Sequence, residues 1–127
     1  MDDEFENMES CHLRSQSLNH DEIAELMEKY LKENYFSEIS MQGLADKFGF
    51  TTEYLGKIFK KNTGETPQKY LTKLRMNEAK RLLLSSPEME VQKIGELVGY
   101  KNAFYFSRAF KTYTGMHPSE FRTLNEK

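Results

Sequence analysis

Apolar residues recur every three or four positions through several segments of the chain, which is the spacing of one face of an α-helix. The first such segment begins after Asn19, which with Glu22 resembles a capping box, and runs to about Phe36. Its predicted inward residues are Ile23, Leu26, Met27, Tyr30 and Leu31. The polar residues before it, 1–18, have neither a helical nor a strand period, and we interpret them as a linker or a disordered tail.

Segment 41–63 has the spacing of two helices joined by a tight turn. Ser40 can cap the first helix through its hydroxyl group, and Gly49 can end it because glycine tolerates the left-handed backbone conformation. The predicted inward residues of the two helices are Leu44, Ala45, Phe48, Leu55, Ile58 and Phe59. A short helix, a glycine turn and a second helix together predict a helix-turn-helix unit.

The same pattern occurs again about fifty residues later in the chain. The stretch FKKNTGETP, 59–67, aligns with FKTYTGMHP, 110–118, on Phe, Lys, Thr, Gly and Pro. A shift of 51 residues relates these two stretches, whereas a shift of 50 relates Leu44 to Ile94. The one-residue difference falls in the turn, where chains tolerate insertions. We therefore predict a second helix-turn-helix unit over about 91–114, formed by duplication of the first.

The residues between the two units predict one long helix over about 67–86. Thr66 can cap it, and Pro67 suits the first helical position. Its predicted inward residues are Tyr70, Leu71, Leu74, Ala79, Leu82 and Leu83. Some 18 residues at roughly 1.5 Å each span about 27 Å, close to the roughly 34 Å between successive turns of a DNA groove. Residues 19–127 are thus predicted to form an all-α domain in which a long central helix joins two helix-turn-helix subdomains.

Charge is distributed unevenly along the chain. Residues 1–40 contain 11 Asp and Glu against 3 Lys and Arg, a net charge of −8, whereas residues 41–127 contain 9 against 15, a net charge of +6. The basic part contains both copies of the repeat. Its charge is compatible with a polyanionic partner and also with an ordinary solvated surface.

Composition bears on location as well. No apolar run approaches the roughly 18 residues of a membrane-spanning helix, so we expect no membrane partner. The first residues lack the basic and apolar regions of a signal peptide, and the single cysteine, Cys11, suits a reducing compartment. We therefore expect a cytoplasmic protein.

The outward faces of the second helix in each unit carry the candidate chemistry. In the first unit this face comprises Thr52, Glu53, Gly56, Lys57 and Lys60. In the second it comprises Asn102, Ala103, Ser107, Arg108 and Lys111, with Phe106, Ala109, Phe110 and Tyr113 predicted inward. Asn and Arg can form paired hydrogen bonds to adenine and guanine, and Lys reaches bases or phosphates. Each of these residues could instead be an ordinary solvated side chain on a helix surface, without contact to DNA.

Phe104 and Tyr105 are adjacent, so both cannot point from one helix into the same core. We expect one of them to pack against the protein and the other to contact DNA. The sequence leaves open which ring does which.

The runs LADKFGFTTEYLGKIFKKNTGETPQKYLTKLRMNEAKRLL and IGELVGYKNAFYFSRAFKTYTGMHPSEFR closely resemble the DNA-binding domain of the AraC/XylS family of bacterial transcription regulators, over about 41–121. The resemblance implies about seven helices and binding of double-stranded DNA in two successive major-groove segments. Helix 23–36 would be the first of the seven, and 118–122 the last. The resemblance also implies transcription regulation, as an activator with RNA polymerase as a further partner, although the sequence leaves activation and repression open.

Residue roles follow from the same resemblance. The first recognition helix matches 52–61, so base contacts fall to Glu53, Gly56 and Lys57; Gly56 departs from the family, which usually places a side chain there. In the second unit the matching positions are Asn102, Ala103, Phe104, Ser107 and Arg108. Lys60, Lys61 and Lys111 are better placed for phosphates than for bases.

Two other classes of function remain open at this point. A helical protein-interaction domain could keep the fold without binding DNA, using its acidic first helix. Some DNA-repair methyltransferases also resemble this family and use reactive cysteines, but Cys11 has only His12 close in sequence, with His20 and His117 distant. We therefore predict no enzyme activity, no catalytic residue, no metal and no cofactor.

The linker-like character of 1–18 suggests the C-terminal output domain of a larger regulator, such as a response regulator. Family members that consist of the DNA-binding domain alone also exist, so this feature does not decide the matter. We expect the isolated domain to be monomeric.

Overall fold

The computed structural model describes residues 19–125, and within that part of the chain every regular element is a helix. The seven helices are α1 (His20–Asn34), α2 (Met41–Phe48), α3 (Thr52–Thr63), α4 (Pro67–Ser85), α5 (Val91–Leu97), α6 (Ala103–Thr114) and α7 (Pro118–Asn125). The predicted all-α fold with two helix-turn-helix subdomains and a long central helix is confirmed. Cys11, His12 and the predicted tail 1–18 lie outside the described residues.

The helices belong to two compact units. The first contains residues 19–33 and 39–70, and the second contains 34–38 and 71–125. The long helix α4 therefore contributes its first turn to one unit and the rest of its length to the other.

The first unit is built on α1, α2 and α3. The capping box is present at the start of α1: Asn19 N–H donates to Glu22 Oε1 at 3.0 Å, and Glu22 N–H donates to Asn19 Oδ1 at 2.9 Å. Ser40 caps α2 by accepting from Gly43 N–H at 2.9 Å, and Gly49 ends it at φ +80°. The core side chains of this unit are Ile23, Ala24, Met27, Leu31, Leu44, Ala45, Phe48, Leu55, Ile58, Phe59 and Tyr70.

Tyr70, in the first turn of α4, supplies a polar contact to the same core. Its ring packs edge-on against Phe59 with centroids 5.3 Å apart, and its hydroxyl donates to Glu28 Oε2 at 2.7 Å. Burial and the bond to the Glu28 carboxylate together raise the pKa of the Tyr70 hydroxyl. This residue thus joins α4 to both α1 and α3.

The second unit buries Met76, Ala79, Leu83, Ile94, Val98, Phe106 and Phe110. Two arginines satisfy carbonyl groups at helix ends. Arg122 on α7 donates to the carbonyl oxygens of Leu83 and Ser86, at 2.9 and 3.0 Å, where α4 ends.

Arg75 likewise satisfies carbonyl groups, in this case those of two residues within 34–38, just after α1. It donates to the carbonyl oxygens of Tyr35 at 2.7 Å and Ser37 at 2.9 Å. Helix α1 accordingly ends at Asn34, two residues before the predicted end, because the carbonyl groups beyond it turn towards Arg75. Phe36 is left 53% exposed.

One predicted core residue of the second unit is wrong. Tyr113 is 42% exposed, and the Lys80 ammonium lies 5.8 Å from its ring centroid. The core at this end of α6 is already filled by Phe110, which packs edge-on against Phe121 at 5.5 Å. Tyr113, in the last turn, therefore lies beyond the packed face.

Candidate nucleic-acid interface

Helix α3 separates its buried and outward residues cleanly. Thr51 caps it by accepting from Tyr54 N–H at 3.1 Å, and Leu55, Ile58 and Phe59 form the buried face. The six predicted DNA-contacting residues are all exposed or half-buried: Thr52, Glu53, Gly56, Lys57, Lys60 and Lys61. The outward face is therefore cationic except for Glu53, which lies in the first turn, where the helix dipole favours an acidic group.

Gly56 lies in the middle of this face. A Cβ atom built at this position meets nothing within 4 Å. Packing thus does not require glycine here, and its effect is to leave the surface of α3 bare between Glu53 and Lys60.

The second helix of the other unit, α6, begins at a different kind of cap. Asn102 Oδ1 accepts from the N–H groups of Phe104 at 2.8 Å and Tyr105 at 3.3 Å. Its amide oxygen is occupied by these two bonds, so the paired contact with adenine that an Asn side chain permits is incompatible with the cap. Asn102 keeps its amide nitrogen as the donor that a nucleic acid can use.

Phe104 and Tyr105 are both exposed, by 64% and 62%. The prediction that one of them packs against the protein is therefore wrong. The cap at Asn102 starts α6 outside the core, and the first buried residue of the helix is Phe106. The Arg108 guanidinium lies 5.6 Å from the Phe104 ring centroid, which is within cation–π range.

The remaining predicted residues of α6 lie on the same outward side. Ala103, Arg108 and Lys111 are exposed, and Ser107 is half-buried. The hydroxyl oxygen of Ser107 lies 3.1 Å from Nδ1 of His117, a residue of the loop before α7. His117 was not among the predicted DNA contacts. The sequence offered one indication of a role for it: His117 precedes Pro118, at the position where the first repeat has Thr66.

Each recognition helix ends in the same turn. The Thr63 hydroxyl lies 2.8 Å from the Phe59 carbonyl oxygen and accepts from Glu65 N–H at 3.3 Å. Thr114 repeats both contacts, with Phe110 and Met116, at the same two distances.

The glycine that follows each threonine is left-handed, at φ +86° for Gly64 and φ +93° for Gly115. Glycine adopts this conformation without steric cost. The repeated Thr-Gly pair thus fixes where each outward face stops.

In residues 19–125, no group of three or more His, Cys, Asp or Glu side chains is placed to hold a metal ion. Across the same residues, no helix is both long enough and apolar enough to cross a membrane.

Comparison with known proteins identifies the family to which the sequence is similar. A family described as a helix-turn-helix domain matches residues 44–123. The raffinose operon transcriptional regulatory protein RafR of Pediococcus pentosaceus is 43% identical over 93 residues, which are 73% of this chain and 33% of RafR. The chain belongs to the AraC/XylS family of transcription regulators. This is a family of DNA-binding regulators and not one of enzymes.

Solved structures of the AraC/XylS type share the fold. The C-terminal domain of AraT, a response regulator from Geobacillus stearothermophilus, is 30% identical with a TM-score of 0.78, over 83% of this chain and 87% of that one. The DNA-binding domain of AdpA, solved with a target DNA, has a TM-score of 0.73 at 20% identity, over 80% of this chain and 90% of that one. At that identity the second likeness supports the fold alone.

The chain spans only part of its curated AraC/XylS relatives. It covers 33% of RafR, 42% of the Msm operon regulatory protein of Streptococcus mutans and 21% of YesN of Bacillus subtilis. These relatives are therefore larger proteins that contain the region matched here.

Proposed function

We propose that this chain binds double-stranded DNA sequence-specifically through α3 and α6, which enter successive major-groove segments, and thereby regulates transcription. The observation that carries the proposal is the repeated split of each helix into two faces. The buried face of α3 consists of Leu55, Ile58 and Phe59, and that of α6 contains Phe106 and Phe110. The opposite sides remain accessible, and most of their charged residues are cationic.

For α3 we assign base contacts to the exposed side chains nearest its start. The Glu53 carboxylate can accept from the amino group of cytosine, and Lys57 can donate to guanine. Thr52 lies beside them. Gly56 allows close approach of the helix backbone, so this unit relies more on DNA shape than α6 does. Lys60 and Lys61, in the last turn, suit phosphates.

For α6 we assign guanine recognition to Arg108, whose planar guanidinium can bond both major-groove acceptors of that base. Ala103 and Phe104 offer apolar contact to a thymine methyl group. Asn102 contributes through its amide nitrogen, and Lys111 contacts a phosphate. Ser107 completes the face.

The wider context rests on the relatives. Several larger relatives are named as activators, including the lactose operon transcription activator of Staphylococcus xylosus. We therefore assign this chain the role of output domain in a larger cytoplasmic activator that cooperates with RNA polymerase at its promoters. The domain by itself is expected to be a monomer.

Selection of binding sites from a pool of random duplexes tests the proposal. The wild-type chain should enrich a defined sequence with at least one guanine that Arg108 reads. Arg108→Ala should lose discrimination at that position by about tenfold, since one good paired contact contributes roughly 1–3 kcal/mol of discrimination.

Lys111→Ala is the matched control, because it removes a positive charge one turn along the same helix. It should weaken binding to all sequences alike. Failure of the wild-type chain to enrich any sequence, while it retains a protein partner in a pull-down at low salt, would instead indicate an interaction domain.

A further inference from the structure

We propose that His117 positions the Ser107 hydroxyl for base reading, which makes this loop residue a specificity determinant of the second unit. The inference rests on the proposed function, because it concerns what α6 presents to DNA. The contact that carries it joins Ser107 Oγ to His117 Nδ1 at 3.1 Å, between the outward face of α6 and the loop before α7.

The backbone of His117 is held firmly enough to act in this way. Its N–H donates to Glu120 Oε1 at 2.8 Å, and the carbonyl of His117 accepts from Phe121 N–H at 2.9 Å. Pro118, the next residue, is fully buried. The imidazole therefore extends towards α6 from a fixed point at the start of α7.

Two residues of α6, Ser107 and Thr114, have a described hydrogen bond through a side-chain hydroxyl group, and the two bonds differ in kind. Thr114 turns its hydroxyl to the carbonyl oxygen of Phe110, one turn back in the same helix, as short polar side chains commonly do. The hydroxyl of Ser107 is instead engaged by a side chain from another element. Its rotation is thus governed by His117.

The hydrogen bond between Ser107 and His117 determines whether the serine hydroxyl presents a donor or an acceptor to a base. When Nδ1 is unprotonated, Ser107 donates its proton to Nδ1 and directs its oxygen lone pairs outwards. An outward acceptor matches the amino groups of adenine and cytosine in the major groove. With His117 in the tautomer protonated at Nε2, the pair therefore favours a base with an exocyclic amine opposite Ser107.

The first unit lacks this pair. A shift of 51 residues places Gly56 at the position of Ser107 and Thr66 at that of His117. Thr66 uses its hydroxyl to accept from Lys69 N–H at 3.2 Å and so caps α4. The hydrogen-bonded pair is thus a feature of the second unit and not of the first. The two units should therefore differ in base preference at this position of their half-sites.

Selection from random duplexes, followed by competition titrations on the selected site, tests the pairing. Ser107→Ala and His117→Ala should each lower the preference at one and the same base pair, by about tenfold. The double variant should lose no more than either single variant, because both remove one shared interaction. His117→Asn should restore the preference, since its amide oxygen can accept from the Ser107 hydroxyl in place of Nδ1.

A purely structural role for His117 predicts a different pattern. Glu120→Ala removes one of the two hydrogen bonds that hold the His117 backbone and leaves the imidazole in place, so it should lower stability while changing base preference less than His117→Ala does. An unchanged base profile for His117→Ala, or losses that multiply in the double variant, would overturn the inference while leaving the proposed function intact. Absence of any enriched sequence with the wild-type chain would overturn both.

Discussion

Gly95 lies directly against the ring of Phe106: a Cβ atom at residue 95 would stand 2.8 Å from both Cγ and Cδ2 of that ring. The corresponding positions of the first unit hold Ala45 and Leu55, both fully buried. Where the second unit sets a hydrogen atom against phenylalanine, the first therefore has a methyl group and a leucine at the two aligned positions. We expect these pairs to be two solutions, by complementary side-chain sizes, to one close approach of the helices.

Gly95→Ala should therefore destabilise the second unit by roughly 1–3 kcal/mol, the usual cost of overpacking a filled core. Combining it with Phe106→Leu recreates the pair found in the first unit and should recover part of the loss. Urea unfolding followed by circular dichroism measures the free energy of unfolding of each variant. Strictly additive effects of the two substitutions would show that the contact does not couple them.

Gly56 and Gly99 should respond oppositely to alanine. Gly56 is helical with open space around it, so Gly56→Ala should stabilise α3 by about 0.8–1.0 kcal/mol. Gly99 has φ +112°, and a Cβ there would stand 2.8 Å from the Tyr35 carbonyl oxygen and from Arg75 Nε. Gly99→Ala should destabilise by more than 1 kcal/mol, because strain and displacement of Arg75 combine. Thermal melts of the two variants check this, and equal shifts in Tm would contradict it.

Tyr70→Phe should lower the free energy of unfolding by roughly 1–3 kcal/mol. It removes the hydroxyl that donates to Glu28 at 2.7 Å, a bond to a charged group, and it leaves the ring packed on Phe59. Glu28→Gln is the matched control, because it keeps an acceptor and should cost less. Urea unfolding of both variants makes the comparison; a neutral Tyr70→Phe would mean that the bond does not stabilise the first unit.

Phe104→Ala and Tyr105→Ala should separate the two exposed rings. Phe104 is one turn before Arg108 on the proposed DNA-binding face, whereas Tyr105 is one turn before the half-buried Ala109. Phe104→Ala should weaken binding to the selected duplex about tenfold, and Tyr105→Ala should weaken it less. Neither should change stability by more than about 0.5 kcal/mol, since both rings are exposed. Fluorescence anisotropy with labelled duplex measures the affinities, and the reverse order would reassign the contact.

Features set by neighbouring residues could be predicted from the sequence. The capping box of Asn19 and Glu22, the Ser40 cap and the left-handed Gly49 that ends α2 all depend on groups within a few positions of one another. Their physical chemistry is therefore visible in a short stretch of sequence. The same holds for the division of α3 and α6 into inner and outer faces, which follows from helical spacing.

Features set by distant residues could not be predicted. The end of α1 depends on Arg75, about forty positions away, and the end of α4 on Arg122, nearly as far. Tyr113 fits the helical period but reaches a core already occupied by Phe110 and Phe121. Periodicity indicates which face a residue shares and carries no information on where the opposing core stops.

Candidate-site residues divide in the same way. Arg108 and Lys57 follow from residue type and outward spacing alone. Asn102 looks like a base-reading residue by type, yet its amide oxygen caps α6. The pair Ser107 and His117 requires the turn after α6 to return the chain to the helix, which no local pattern specifies.

The most direct test of the central claim is a titration of the wild-type chain with its selected duplex and with a scrambled duplex of equal length, at several salt concentrations. Sequence-specific binding through cationic helix faces predicts tighter binding of the selected duplex by a factor of about 10³ or more. It also predicts that the affinity for both duplexes falls steeply as salt rises. Equal affinity for the two duplexes, or no binding of either at low salt, would contradict the account.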